Sequence, residues 1–440
     1  MVYDIVIGRG APDRKKFGLN GTIFLGKQYI KMGQTTSLSS KVYLDVARSH
    51  VFFIVGKRGS GKSYTMGVIA EGMSDLPPEI KENVAVVMLD TMGIYWTMKY
   101  PNHKDYDILK EWDMEAKPLD IQIYTPVGFY KQYKEKGIPT DYPFAIKPSE
   151  LAPSEWCQCF QVPPLTPLGT YIESVITDLK EKGKDYSLDD IINVIKNDKE
   201  TNKEYRDGAL NAFKISQSWG LFSEEGTPLK DLVKGGQVTV LDVSCYVTLA
   251  GASEIRALVI GLVAQKLFLD RMIARTGEEY EAVSESVHYF AMEQKEKKEM
   301  PLVWLIVDEA HEFLPREGST VASQPLITIL REGRQPGISL ILATQQPGKI
   351  HTDVMTQSDT VIAHRLTAKV DVEALGMLMQ SYMREGLDKA IDNLPRGQGA
   401  AVVFDDANER LYSIAVRPRM TWHGGESPTA LKTEKKVFDL

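Results

Sequence analysis

The chain has 440 residues, 43% apolar and 25% charged, enough for two or three ordinary domains or one large elaborated domain around a substantial core. With 52 basic and 59 acidic side chains the formal charge is −7, which excludes a surface coated in basic residues for nucleic acid but not a local basic channel. Three cysteines make no disulfide framework, and Cys157-Gln-Cys159 lacks the spacing of a zinc site.

Residues 1–45 read as short strands (Tyr3 to Ile7, Thr22 to Leu25, Lys41 to Leu44) punctuated by glycines, a β-rich N-terminal extension. Next comes Val51-Phe52-Phe53-Ile54-Val55, an apolar run of the kind that forms a strand buried on both faces. It leads into Gly56-Lys57-Arg58-Gly59-Ser60-Gly61-Lys62-Ser63, a full match to the phosphate-binding loop. Met66, Ile69, Ala70 and Met73 then recur at helical spacing. Strand, glycine-rich turn and helix is the order in which backbone N–H groups and a helix N-terminus can cradle a polyphosphate. Lys62 is placed to reach the β- and γ-phosphates, and the Ser63 hydroxyl to hold Mg²⁺, so the chain is expected to bind a nucleoside triphosphate. A second buried strand, Val84 to Leu89, ends at Asp90, which reads equally as a residue facing the ligand crevice or as a turn former.

From 95 to 235 the rhythm of strands stops, and the segment reads as a mainly helical insertion. Thr166 and Pro167 open one helix with Leu168, Tyr171, Ile172, Val175, Ile176 and Leu179 on its apolar face, and Gly183 sits where its C-terminal cap belongs. Ser187 with Asp190 resembles a capping box for another. Lys131, Lys134 and Lys136, interleaved with Tyr130 and Tyr133, read as a solvated loop or as a face for nucleic acid. Strands return at Val238 to Val243, Leu302 to Val307, Ile338 to Ala343, Val361 to His364, and Ala400 to Phe404 with Tyr412 to Val416. Between the first two lies a long helix, interrupted over 258–274 by Gln265, Lys266, Asp270 and Arg271 and hence no membrane span, followed by a charge-rich, exposed stretch at 278–300. Strands alternating with helices imply an α/β core with a mostly parallel sheet. With no signal-peptide pattern either, the chain is expected to be soluble and cytoplasmic.

The apolar run before Asp308-Glu309 supplies the other half of an ATPase site. Asp308 would join the Mg²⁺ shell, and Glu309 would take a proton from the attacking water. Gln345, at the end of the next strand, can sense the γ-phosphate, and is favoured over Gln346 beside Pro347. His311 reads as a coupling residue or as a helix-cap or packing histidine. Arg331 and Arg334 flank a Glu-Gly in the loop between the two strands, and either could stabilise phosphoryl charge from a neighbouring subunit.

Taken together, Gly56-Lys57-Arg58-Gly59-Ser60-Gly61-Lys62-Ser63, the strand ending Val307-Asp308-Glu309-Ala310-His311-Glu312, the stretch Leu330-Arg331-Glu332-Gly333-Arg334-Gln335-Pro336-Gly337 running on to Gln345, and the closing Val416-Arg417-Pro418-Arg419-Met420-Thr421-Trp422-His423-Gly424-Gly425 resemble the HerA branch of the HerA–FtsK superfamily. The resemblance implies a RecA-like P-loop NTPase core (46–94 and 236–416), with the 1–45 extension, the 95–235 insertion and a 417–440 C-terminal segment around it. It implies an ATPase with Mg²⁺, assembled as a homo-hexameric ring that translocates double-stranded DNA and works beside a NurA-like nuclease or another effector. By position, Lys62 and Ser63 would bind phosphate and metal, Asp308 would complete the metal shell, and Glu309 would be the base. Gln345 would be the sensor, and Arg331 or Arg334 the finger acting in trans. Two departures stand out: residues 1–45 are short for the family's N-terminal barrel, which bears on the nuclease partnership, and Asp90-Thr91-Met92-Gly93-Ile94-Tyr95 stands where many relatives have a Pro and a Glu. A non-motor assembly switch and a protein-substrate secretion ATPase are the alternative readings.

Overall fold

In the computed structural model, residues 4–425 are described except 33–34, 184, 250, 288–299, 377–386, 388 and 396–398. The charge-rich 288–299 and the last stretch of the C-terminal segment, 426–440, therefore lie outside the described residues.

Among the described residues thirteen strands, numbered in chain order, form one sheet in the order β1-β3-β2-β13-β12-β11-β4-β10-β9-β5-β8-β6-β7. Its centre holds β4 (Val51–Val55), β5 (Val84–Asp90), β8 (Val238–Asp242), β9 (Leu302–Val307), β10 (Ile338–Thr344) and β11 (Thr360–His364). From β11 through to β7 every pairing is parallel. These strands are near-continuous Val, Ile, Leu and Phe because both faces are covered, and β5, β8 and β10 are buried along their whole length. One apolar cluster lies on each face: Phe52, Ile54, Met66 and Ile69 on one, Phe53, Val55, Leu258 and Leu305 on the other. The P-loop helix, Lys62–Ser74, has neighbours almost all round, so it lacks the polar face of a surface helix.

The N-terminal segment does more than precede this core. β1 (Ile5–Ile7) pairs with β3 (Thr35–Asp45), which forms a long hairpin with β2 (Thr22–Met32). β2 adds to β13 (Arg410–Val416), β13 to β12 (Ala400–Asp405) and β12 to β11, all antiparallel, extending the same sheet. Residues 95–235 differ from the expectation that strands stop there: β6 (Ile121–Pro126) and β7 (Tyr142–Phe144) continue the opposite edge. Their signal is short and ends in Pro126 or includes Pro143, residues that weigh against a strand reading and are tolerated at an edge. The rest of the segment is helical and capped as its sequence predicts. Thr166 Oγ1 accepts from Gly169 N at the start of Pro167–Glu181. Ser187 and Asp190 close a reciprocal box at the start of Leu188–Asn197. Helix Val127–Glu135 carries Lys131 paired with Glu135 and Lys134 over the Tyr130 ring, so part of that basic run is used within the chain.

Candidate active site

Parallel strands place their C-terminal ends together, and there the phosphate-binding loop sits. Gly56 N donates to Thr344 O of β10 (3.3 Å), and Lys57 N to Arg365 O just past β11 (3.1 Å). The loop is thus hung from both neighbours of β4. Gly61 opens the helix with φ +114°, and a Cβ on Gly56 would lie 2.3 Å from Ser60 Oγ. The Lys57 and Arg58 side chains are exposed, whereas Lys62 is buried. Its Nζ bonds back to Gly56 O (2.9 Å), and burial holds its pKa below the ordinary lysine value.

Opposite the loop, β9 delivers Asp308 and Glu309. Ser63 Oγ donates to Asp308 Oδ2 (2.9 Å), and Glu309 N to Asp308 Oδ1 (2.8 Å). Glu309 takes the left-handed conformation (φ +50°), a strained choice for a non-glycine residue that turns its carboxylate out of the strand. Gln345 Nε2 reaches Glu309 Oε1 at 3.3 Å. Burial raises the pKa of Asp308, and burial with the Asp308 charge pushes Glu309 up to about 7. Glu309 Oε2, although buried, accepts no hydrogen bond. Lysine, serine, two carboxylates and an amide from three strand ends therefore converge, and the carboxylates are held in a state that favours a proton or a cation.

Arg331 and Arg334 stand elsewhere. The helix Ser323–Glu332 carries the chain back to the N-terminal ends of the strands, and β10 then runs seven residues before Thr344 meets the loop. At about 3.3 Å per residue Arg334, in the turn before β10, lies roughly 20 Å from its own phosphate-binding loop. Arg331 Nε bonds Asp353 Oδ2 at 2.5 Å, and Arg334 is exposed.

Other residues stand around these groups: His311 and Asp90, which the sequence left with two readings each, and Tyr95 and Glu71, to which it gave no role. His311 Nδ1 lies 3.0 Å from Thr344 Oγ1 and 3.5 Å from Glu309 Oε2, and its Nε2 lies 3.3 Å from Gln346 Nε2. Tyr95 is fully buried on the side of Ser63 and Asp308. Asp90 is a turn former: its two oxygens accept from Met92, Gly93 and Tyr95 N–H groups, and burial beside Asp242 raises its pKa to about 7. The far end of the P-loop helix is clamped by the C-terminal segment. Glu71, fully buried, accepts from Arg417 Nη1 (2.8 Å), Arg419 Nε (3.4 Å), Met420 N (3.1 Å), Thr421 N (3.0 Å) and Thr421 Oγ1 (2.6 Å). The Arg419 guanidinium packs where a side chain on Gly67 would be, 2.7 Å from that missing Cβ.

A family model described as "Helicase HerA, central domain" matches residues 30–261, and one described as "Zonular occludens toxin (Zot)" matches 266–385. The probable DNA double-strand break repair helicase HerA of Methanocaldococcus jannaschii is 25% identical over 403 residues, 83% of this chain and 72% of that protein. The DNA double-strand break repair helicase HerA of Pyrococcus furiosus is 28% identical over 147 residues, 33% of this chain and 25% of that protein. Among solved structures, VirB4 of Thermoanaerobacter pseudethanolicus shares the fold with a TM-score of 0.52 at 13% identity, over 90% of this chain and 96% of that one. Among the described residues no helix is long and apolar enough to cross a membrane. With the phosphate-binding loop and the Asp308-Glu309 strand end facing each other across β4 and β9, the chain belongs to the HerA helicase family of P-loop ATPases.

Proposed function

We propose that the chain is the motor subunit of a homo-hexameric ring that hydrolyses ATP to move double-stranded DNA. The observation that carries this reading is the split of the candidate groups between the two ends of β10. Lys62, Ser63, Asp308, Glu309 and Gln345 gather at one end, and Arg331 and Arg334 stand at the other. A finger arginine about 20 Å from its own loop can serve only a neighbour's site, which is what a head-to-tail ring supplies.

The residues fit Mg²⁺. Ser63 Oγ and Asp308 are hard oxygen donors already in contact, and Asp308 is a buried carboxylate with no cationic hydrogen-bond partner among the described residues. Those two would hold the ion, which when bound offsets charge on the phosphate oxygens. The loop N–H groups and Lys62 bind the polyphosphate; Lys62 must first leave Gly56 O. Glu309, kept basic enough near neutral pH, receives the proton of the attacking water at Oε2, which accepts no hydrogen bond from the described residues, while Gln345 holds Oε1 in place. A nuclease partner akin to NurA belongs to the same reading.

The test is the ATPase rate with and without linear double-stranded DNA, alongside the mass of the assembly. Stimulation by DNA in a six-subunit particle is expected. DNA affinity should fall with salt at a slope near −0.9 per neutralised phosphate, independent of sequence. A rate indifferent to DNA, or affinity flat with salt, would favour an assembly switch instead.

A further inference from the structure

His364, the last residue of β11, is not part of any nucleotide-binding motif, yet it lies directly beneath the phosphate-binding loop. It is completely buried. Its Nδ1 lies 3.1 Å from Ala400 O, a group that only accepts, so the proton is on Nδ1. The unprotonated Nε2 is then the acceptor for the Thr65 hydroxyl, 2.9 Å away. Thr65 stands in the first turn of the P-loop helix, two residues after Ser63, with its N–H donating to Gly61 O (2.9 Å). The ring also fills the space at both ends of the loop. Its Cβ lies 2.7 Å from the position of a Cβ on Gly56, and its Cε1 lies 3.4 Å from that on Gly61. The next residue, Arg365, supplies the carbonyl that holds Lys57 N.

We propose that His364 is a positioning residue of the nucleotide site: a neutral imidazole of fixed tautomer that braces both ends of the phosphate-binding loop and orients the helix turn carrying Lys62 and Ser63 through Thr65. The loop binds phosphate through backbone N–H groups, whose direction depends on what lies beneath them, and a loop free to sag loses affinity before it loses fold. Burial and the nearby Lys62 charge hold the His364 pKa down to about 4, so the neutral form is maintained across the physiological range. The brace also links the site to the antiparallel half of the sheet, because Ala400 begins β12.

The inference rests on the loop being the ATP site, and the test separates the two. ATPγS with Mg²⁺ is titrated calorimetrically into the full chain and into its variants. Lys62→Ala reports on the site itself: a parent protein that binds no ATPγS sinks the ATP reading, not the brace alone. His364→Phe fills the space without either bond, and Thr65→Val removes only the hydroxyl. Each should weaken ATPγS about tenfold, and because both break one contact the double variant should lose about tenfold rather than a hundredfold. Thr65→Ser, which keeps the hydroxyl, should restore parent affinity. A residue that only fills the core predicts the opposite pattern, a lowered melting temperature with affinity within twofold. Parent-like affinity in both single variants, or full additivity in the double, overturns the proposal. Thr65→Val and Thr65→Ser carry the test if His364→Phe does not fold.

Discussion

The two ends of the P-loop helix each meet a buried charge cluster, and the two are built on opposite principles. At the far end, Glu71 sits between Arg417 and Arg419 with five hydrogen bonds to it, and although burial alone would raise its pKa, these partners hold it below the ordinary range. At the near end, Asp308 and Glu309 face Lys62 across a gap, both pKa values are raised, and Glu309 Oε2 accepts no hydrogen bond from the described residues, with His311 Nδ1 3.5 Å away. Glu71 and Asp308 are equally buried yet have opposite proton affinities, because the charges of Arg417 and Arg419, reinforced by hydrogen bonds to the carboxylate, decide the sign at Glu71. A saturated cluster holds structure, and an undersaturated one is arranged for something that arrives: phosphate, a cation, a proton from water.

The comparison can be broken hardest at the third group of charges, the arginines. If Arg334 completes a neighbour's site, Arg334→Ala and Lys62→Ala are each nearly inactive alone, and rings co-assembled from the two recover part of the ATPase rate. Loss of a finger arginine lowers turnover by about 10³–10⁵-fold, so even a few restored sites are visible. Mixed rings as inactive as either parent would remove Arg334 from the account, and the same mixture with Arg331→Ala decides between the two.

A smaller effect sharpens the near end. Lys62→Ala should abolish nucleotide binding, whereas Glu309→Gln should keep it and slow turnover by about 10²–10⁴-fold. In the parent, kcat/KM should rise as pH increases through about 7, since Glu309 is protonated and unable to accept below that value. A Glu309→Gln protein that hydrolyses ATP near the parent rate refutes the assignment.

The smallest effect lies at the N-terminal ends of the strands, where a second buried cluster of opposite charges provides a control. His50 is buried between Asp359 (2.9 Å) and Asp45 (3.8 Å), and Asp45 also binds Arg9 (2.7 Å). Burial alone would lower the His50 pKa, but the two carboxylates lift it to about 9. Its charge therefore stabilises the fold fully below pH 6.5, and that contribution, about 3 kcal/mol, is lost as pH rises through 9. Urea midpoints at pH 6 and pH 10 should differ more in the parent than in His50→Gln; equal differences would mean that His50 is not charged in the fold.

Much of this was legible in the chain because local chemistry and global fold agree. The apolar runs of β4, β5, β9 and β10 are buried on both faces, and the caps at Thr166 and Ser187 need only neighbouring residues to form. What was not legible depends on partners far apart in sequence. Arg417 and Arg419 are legible only as part of the closing segment that carries the family resemblance; their pairing with Glu71, 346 and 348 residues away, is made by the fold. His364 reads as the end of a strand, and only the pairing of β11 with β4 and β12 places it under the loop. β6 and β7 escape because edge strands tolerate the prolines that argue against them.

One pair of variants tests the central contrast most directly: the melting temperature and the ATP turnover per folded molecule of Glu309→Gln and Glu71→Gln, measured side by side. Neutralising Glu309 removes a half-buried, poorly compensated charge, so the melting temperature should rise by about 1–3 °C, allowing for partial solvent screening, while turnover collapses. Neutralising Glu71 leaves two buried arginines without their partner at a cost of about 3–5 kcal/mol, so the melting temperature should fall by about 5 °C or more while turnover of the folded fraction stays within a few-fold of the parent. A destabilised Glu309→Gln, or a stable Glu71→Gln that has lost turnover, would contradict the account.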